Sequence, residues 1–283
     1  MQSKIFSVNK TLNVRGKLMD LSFPKVMGIL NVTPDSFYDG SRYTEEASIL
    51  GQVEKMMLEG ADFIDVGGNS TRPGAQEITE EEELKRFLPA MAIIVKNFPT
   101  AILSVDTFRS GVARRAVEAG ASIINDISGG GLDSTMFEAV AKLGVPYILM
   151  HLRGTPQTMT QQTDYENLLK EMIDYFHQRV FKLHQLGFKD IIVDPGFGFA
   201  KKAAQNFELL SKLEYFQVLK KPILVGLSRK SMIWRTLKTD PENALNGTTA
   251  LHTIALLKGA AILRAHDVKE AKEVIDLVGK LNA

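Results

Sequence analysis

The stretch VMGILNVTPDSFYDG, residues 26–40, decides how the chain is read. Its apolar run, Val26 to Leu30, ends at Asn31 and breaks into a loop in which Thr33, Pro34, Asp35 and Gly40 stop both strand and helix. It reads as a buried strand that delivers polar groups from its C-terminal end. One such exit is ordinary in an α/β protein, and its repetition along the chain is what gives it meaning.

Working outward, further short apolar strands are predicted at 62–66, 101–105, 122–125, 146–150, 190–193, 222–225 and 261–263. Helices are predicted between them at 44–59, 80–96, 110–119, 134–143, 165–186, 205–213, on either side of Asp240-Pro241, and at 268–281. The first has Thr44 as N-cap, Glu45 and Glu46 in its first turn and a Gly60 stop. Strands with little period-2 alternation imply a parallel sheet buried on both faces, and eight strand–helix units in about 250 residues imply a closed (β/α)8 barrel of the TIM type. Residues 4–14 alternate around Asn9 and Lys10, which predicts a short N-terminal β-hairpin outside the barrel pattern. The chain therefore divides into an N-terminal hairpin and extension, 1–25, and one α/β barrel domain, 26–283.

At 283 residues, 45% hydrophobic and 24% charged, the composition is that of a globular domain with a large core. The net charge of +1, from 34 basic and 33 acidic residues, offers no nucleic-acid or membrane surface, so small molecules are the expected partners. There are no cysteines, which excludes disulfides and thiolate metal sites. No stretch has the eighteen or so apolar residues of a membrane span and the N-terminus lacks a leader-like apolar region, so a cytoplasmic location is expected.

A barrel of this kind carries its active site at the C-terminal ends of its strands. Those ends are Asn31, Asp65 with Gly67, Asp106, Asn125 with Asp126, Met150 with His151, Asp194, Gly226 with Ser228, and Arg264 with His266. An Asp after a strand often caps the next helix, and a single His is often structural; so many polar groups on one rim point to a site. Asp106, Asn125 and Asp194 suit a flat heterocycle with a donor-rich amidine edge, because a carboxylate accepts two N–H bonds in fixed geometry. Thr71, Arg72, Arg264 and His266 suit an oxyanion such as a phosphate, and Asn31 can offer one oxygen to Mg2+. Together these suggest transfer from a diphosphate-activated heterocycle. The glycine-rich segment DPGFGFAKK, 194–202, fails the dinucleotide fingerprint because Lys201 occupies its third position, and GLSRKS, 226–231, fails the phosphate-loop pattern.

Eight segments now carry a resemblance: NVTPDSFYDG (31–40), STRPGA (70–75), SVDTFR (104–109), INDISG (124–129), MHLRGTPQTM (150–159), DPGFGF (194–199), GLSRKS (226–231) and RAHDV (264–268). Together they resemble the dihydropteroate synthase family of pterin-binding barrels, from about residue 26 to the C-terminus. The resemblance implies a cytoplasmic, homodimeric transferase of folate biosynthesis. It would condense 6-hydroxymethyl-7,8-dihydropterin diphosphate with p-aminobenzoate to give 7,8-dihydropteroate and diphosphate, and sulfonamides would compete with the aminobenzoate. It also implies that Asp106, Asn125 and Asp194 hold the pterin edge, with Met150 against the ring, Lys230 at the ring carbonyl and Arg264 over a ring face. Diphosphate falls to Asn31 through Mg2+ and to Thr71, Arg72, Arg264 and His266. The aminobenzoate falls to Phe37, Pro73, Phe199, the Lys230 stem and Ser231 at a helix N-terminus. Asp39 and Asp106 would stabilise a pterin cation under two closing loops, 32–43 and 67–77.

The chain departs from the family pattern at Asn69, Ala200, Gln205 and Ala265, which bears on loop behaviour more than on chemistry. Two alternatives are a methyltetrahydrofolate:corrinoid methyltransferase and a non-catalytic pterin-binding paralogue. The methyltransferase would not need Phe37, the TRPG loop or Ser231, and the paralogue would be marked by loss of loop residues that this chain retains.

Overall fold

The computed structural model describes residues 10–32, 42–69 and 78–281. Strands β1 (Thr11–Val14) and β2 (Lys17–Asp20) form a two-stranded antiparallel sheet. Eight parallel strands follow: β3 (Lys25–Asn31), β4 (Phe63–Gly67), β5 (Leu103–Asp106), β6 (Ile123–Asp126), β7 (Tyr147–Met150), β8 (Ile191–Asp194), β9 (Leu224–Val225) and β10 (Ile262–Ala265). They are ordered β8-β7-β6-β5-β4-β3-β10-β9. A parallel bridge between Val193 and Ile223, with the Val193 N–H donating to Pro222 O at 2.9 Å, joins the two ends. The fold is the expected (β/α)8 barrel with a small N-terminal hairpin.

Helices α1 (Arg42–Leu58), α2 (Glu80–Asn97), α3 (Ser110–Glu118), α4 (Met136–Leu143), α5 (Leu168–Gln185), α6 (Ala203–Ser211), α7 (Ser231–Thr236), α8 (Leu245–Leu257) and α9 (Val268–Leu281) surround the strands. They cover outward residues such as Val66, Val105, Leu149 and Val193, which belong to the main core. Gly28 marks a close approach: a Cβ there would lie 2.8 Å from Met56 Sδ and 3.1 Å from Val268 Cγ2.

The inward positions rise from apolar to polar along most of the strands. Met27, Phe63, Ile123, Ile148, Ile192, Leu224 and Ile262 form a second cluster at the base, closed from below by Leu12, Val14 and Leu21. Two residues further along the same inward faces stand Asp65, Asn125, Met150, Asp194 and Arg264. The strands therefore do alternate. Inward and outward positions are both apolar near the base, so the alternation surfaces only toward the C-terminal ends of the strands.

One expected hairpin, over residues 4–14 around Asn9 and Lys10, lies mostly outside the described residues, and one local expectation is corrected. Among the described residues a hairpin turns at Arg15-Gly16: Thr11 pairs with Asp20 and Val14 with Lys17. A two-residue hairpin turn with positive φ at both positions matches strand twist, and φ is 52° at Arg15 and 75° at Gly16. Arg15 is held there by bonds from Nε to Ser122 Oγ (2.6 Å) and from Nη2 to Ala101 O (3.0 Å). Helix α1 begins at Arg42, so Thr44 lies inside its first turn and is not its N-cap. The buried Ile49, Val53 and Met56 show that packing on the barrel, more than capping chemistry, holds this helix. Among the described residues, no helix is long and apolar enough to cross a membrane.

Candidate active site

At the C-terminal mouth, one guanidinium ties three strands together. Asp65, fully buried on β4, accepts at Oδ2 from Asn125 Nδ2 (2.8 Å) and Arg264 Nε (2.7 Å). Arg264 also donates through Nη2 to Asp106 Oδ2 at 2.9 Å. Burial pushes the Asp106 carboxyl up, against the pull of Arg264 and with the repulsion of Asp65. Burial disfavours the charged Arg264, yet Asp65 and Asp106 hold its pKa above the ordinary value.

This arrangement also orients Asn125. A carboxylate only accepts hydrogen bonds, so the amide must turn Nδ2 toward Asp65, leaving Oδ1 as an acceptor. Asn125 Oδ1 and Asp65 Oδ1 are both buried with no hydrogen-bond partner in the structure. Buried polar atoms are rarely left so.

Across the mouth, Asp194 accepts at Oδ1 from the Gly196 N–H at 2.7 Å, and burial raises its pKa while Lys230 acts in the opposite direction. Lys230 is pushed down to about 8 by burial, with Asp194 opposing the fall. Its Nζ donates to Phe197 O and lies 4.4 Å from the centre of the Phe199 ring, a cation–π contact. Met150 sits with Ile127, Leu152, Met159 and Ala200 in an apolar patch on which Phe108 and Phe199 pack. Ser231 is exposed as the first residue of α7.

Asn31 ends β3 beside Asp106: a Cβ on Gly67 would lie 3.7 Å from Asn31 Oδ1 and 3.6 Å from Asp106 Cβ. His266 is exposed at the mouth, its Nδ1 3.0 Å from Ser228 Oγ, and that hydroxyl also accepts the His266 N–H at 3.2 Å. The structure thus brings together Asp106, Asn125, Asp194, Lys230 and Arg264, with Asn31, Met150, Phe199, Ser231 and His266 on the same end of the barrel. Phe37, Asp39, Thr71, Arg72 and Pro73, and with them most of the two loops expected to close, lie outside the described residues.

Among the described residues, no group of three or more His, Cys, Asp or Glu is placed to hold a metal. A lone amide oxygen such as that of Asn31 fits Mg2+, which keeps several waters and is usually completed by substrate phosphates.

Sequence reasoning gave Asp65 no role although it stands on the rim, and it passed over Arg229. Arg229 has φ 54° and donates from Nε and Nη2 to the two oxygens of Asp267 at 2.9 and 2.7 Å, which fixes the backbone just before Lys230. The position of Arg229 within SRKS was the available signal.

Residues 27–266 match the pterin binding enzyme family. Over 269 residues the chain is 43% identical to the dihydropteroate synthase of Escherichia coli K12, covering 94% of this chain and 95% of that one. The chain belongs to the dihydropteroate synthase family. Another family member, from Bacillus subtilis, is 41% identical over 93% of this chain and 92% of its own. A Yersinia pestis dihydropteroate synthase solved in a sulfonamide drug complex superposes with a TM-score of 0.89 at 40% identity, covering 96% of this chain and 99% of that one. A Xanthomonas albilineans dihydropteroate synthase solved with 4-aminobenzoic acid also gives 0.89, at 38% identity and 97% and 98% coverage. Family membership agrees with the acceptor-lined mouth and with the motifs that form it.

Proposed function

We propose that this chain condenses 6-hydroxymethyl-7,8-dihydropterin diphosphate with p-aminobenzoate, releasing 7,8-dihydropteroate and diphosphate. The observation that carries the reading is the set of acceptors on Asp106, Asn125 and Asp194, facing the donors of Lys230 and Arg264 across one mouth. The acceptors match the amino and ring N–H groups of a pterin edge, and the Lys230 ammonium matches its carbonyl oxygen. Met150 packs on the ring and Arg264 covers a face.

The bond from the exocyclic methylene to the diphosphate oxygen breaks first, and the electron pair leaves with diphosphate. Arg264 and His266 stand where the departing charge grows, which is where preorganised donors are most effective. Mg2+, held by Asn31 and the diphosphate itself, would supply further charge neutralisation. Asp106 stabilises the pterin cation that remains. The aminobenzoate nitrogen then forms the new C–N bond and releases its proton to solvent. Phe199 and the Lys230 stem flank the aminobenzoate ring, with Ser231 at its carboxylate. The assignments to Phe37, Asp39, Thr71, Arg72 and Pro73 rest on the sequence resemblance.

A homodimer is supported by an apolar surface. Ile254 and Leu257 are exposed on α8, Leu237 lies beside Gly247 of the same helix, and the exposed Tyr215 and Val218 flank its C-terminal end through the Lys258–Glu214 ion pair. Sedimentation at micromolar concentration checks it, and a monomer there removes the reading. A cytoplasmic location belongs to the same proposal.

The activity is tested by diphosphate release from the pterin diphosphate with Mg2+, with and without p-aminobenzoate, followed by identification of the pterin product. Release coupled to dihydropteroate supports the synthase. Tight pterin binding without turnover would favour the non-catalytic paralogue, and methyl transfer from methyltetrahydrofolate would favour the methyltransferase.

A further inference from the structure

Lys201 sits where no lysine is expected. Its residue is only 8% exposed, and among the described residues no carboxylate lies within ion-pair distance of its ammonium. All three of its protons are instead directed at acceptors: Gly196 O at 3.0 Å, Phe199 O at 2.9 Å and His151 Nδ1 at 3.0 Å. While Lys201 is protonated it has three donors and no acceptor, so His151 then accepts at Nδ1 and carries its proton on Nε2. Burial, followed by Lys201 itself, holds the His151 pKa well below the ordinary value. Burial also pushes Lys201 down to about 7, with Asp194 pulling the other way and Lys230 and Arg153 adding to the fall.

The loop that Lys201 grips joins the two substrate regions. It begins at Asp194, whose carbonyl accepts the His151 N–H at 3.0 Å and whose Oδ1 accepts from Gly196. It continues through Phe197, whose carbonyl receives Lys230, and Phe199, whose ring carries the Lys230 cation. Tyr165 OH pins the next carbonyl, Ala200 O, at 2.9 Å, and Tyr175 packs edge-on to the His151 ring with centroids 4.7 Å apart. Removing the Lys201 donors frees the Phe199 carbonyl and leaves Gly196 O with only the Phe199 N–H, at 3.1 Å, while Asp194 stays held by its strand. The consequence falls on the Phe199 and Lys230 side of the mouth.

We propose that Lys201, held by His151, is a positioning residue for the second substrate: it fixes the 194–200 loop so that Phe199 and the Lys230 stem form the two walls for the aminobenzoate ring. The proposal rests on the placement of aminobenzoate given above. Neither residue touches the reacting atoms; they act through Phe199 and Lys230.

Steady-state kinetics of the full chain with Mg2+, varying each substrate in turn, tests it. Lys201→Met is expected to raise KM for p-aminobenzoate roughly tenfold and KM for the pterin diphosphate by less than about threefold, the scale expected for buried acceptors left without a donor. His151→Leu should shift the same KM in the same direction. His151→Asn, whose amide oxygen replaces the Nδ1 acceptor, should return it to within about threefold of wild type. Equal rises in both KM values, an unchanged KM for p-aminobenzoate, or a His151→Asn variant as impaired as His151→Leu would each overturn the proposal. If Lys201→Met fails to fold, the two His151 variants decide alone. Phe199→Ala separates the two readings: if it leaves KM for p-aminobenzoate unchanged, the aminobenzoate placement has failed. If it raises that KM and Lys201→Met does not, only the role of Lys201 has failed.

Discussion

The two ends of the barrel each bury a lysine against a histidine, and the pairs do different things. At the mouth, Lys201 Nζ lies 3.0 Å from His151 Nδ1; at the base, Lys221 Nζ lies 3.0 Å from His184 Nε2. Both lysine residues are 8% exposed, and burial lowers the pKa of both. The difference lies in what else each ammonium holds. Lys201 grips two carbonyls of a loop that carries Phe199, whereas Lys221, among the described residues, adds Lys189 O, at 3.3 Å, in the segment entering β8. A buried ionisable group is therefore a poor marker of function by itself, and the backbone it restrains is the better one. The surroundings agree: the base is filled by Leu12, Val14 and their apolar neighbours, while the mouth leaves Asp65 and Asn125 with acceptors to spare.

The comparison breaks most sharply at Arg264. Arg264→Met would leave Asp65 and Asp106 facing each other without their shared cation, costing about 3 kcal/mol of stability, the scale of a broken buried pair. It should also lower kcat/KM by about a thousandfold, and chemical denaturation beside kinetics reads both. Arg264→Lys should not restore activity, because a single ammonium cannot reproduce a planar fork that contacts Asp65 through Nε and Asp106 through Nη2. At the base the two effects come apart. Leu12→Ala removes a fully buried side chain from the plug and is expected to cost about 3 kcal/mol, with kcat/KM unchanged at temperatures where the variant is folded. A kinetic loss there would show that the base is coupled to the mouth.

The pH dependence sharpens the same contrast. Asp106 must be ionised to accept from the pterin edge, and burial raises its pKa, so kcat/KM for the pterin diphosphate should fall on an acid limb above the ordinary carboxylate range. Lys230 must be protonated to donate, so a basic limb is expected near pH 8. Stability moves by linkage with its own sign. Native Asp106 retains a proton that the unfolded chain has lost, so stability falls as pH rises from the ordinary carboxylate value of 3.8 through the raised native pKa. Native Lys230 loses its proton before the unfolded chain does, so its penalty is full below about 8 and is relieved between there and the ordinary lysine value of 10.5. Lys221 has no part in either limb. Lys221→Met should leave the kinetic profile in place and change the melting temperature by no more than about 3 °C, since replacing a buried charge by a well-packed apolar chain is often neutral.

The rim was legible because each strand ends on its functional residue: Asp106, Asn125, Asp194 and Arg264 stand at or next to the last residue of an apolar run, and chain order alone puts them on one end of a barrel. What escaped depends on contacts between distant segments. Lysine is ordinarily exposed, so nothing local announces that Lys201 will be enclosed by a histidine fifty residues earlier in the chain. Asp65 gains its role from Asn125 and Arg264, residues 60 and 199 positions away. The turn at Arg15-Gly16 was not legible because Arg15 reaches a positive φ through bonds to Ser122 and Ala101, where local propensity alone favours Gly, Asn or Asp.

Arg15 and Ala200 give the smallest and most exacting form of the comparison. Each is a non-glycine residue with positive φ, 52° at the base and 50° at the mouth. Arg15 is compensated by its guanidinium, which also reaches Pro99 O and Gly120 O at 3.3 Å, so a glycine there would discard more than it relieves. Ala200 has only a methyl group, packed with Met150, Leu152 and Met159. Ala200→Gly should relieve about 1 kcal/mol of backbone strain and return most of it as added freedom of the unfolded chain, for a net change within about 0.5 kcal/mol. With the loop still pinned by Lys201 at Gly196 and Phe199, KM for p-aminobenzoate should move by less than about twofold, against the roughly tenfold rise expected on removing the lysine. A stability loss above about 1.5 kcal/mol would instead mean that the methyl contact in the Met150 patch outweighs the strain. A KM shift as large as that of Lys201→Met would move control of the loop from the ammonium to the backbone torsion at Ala200.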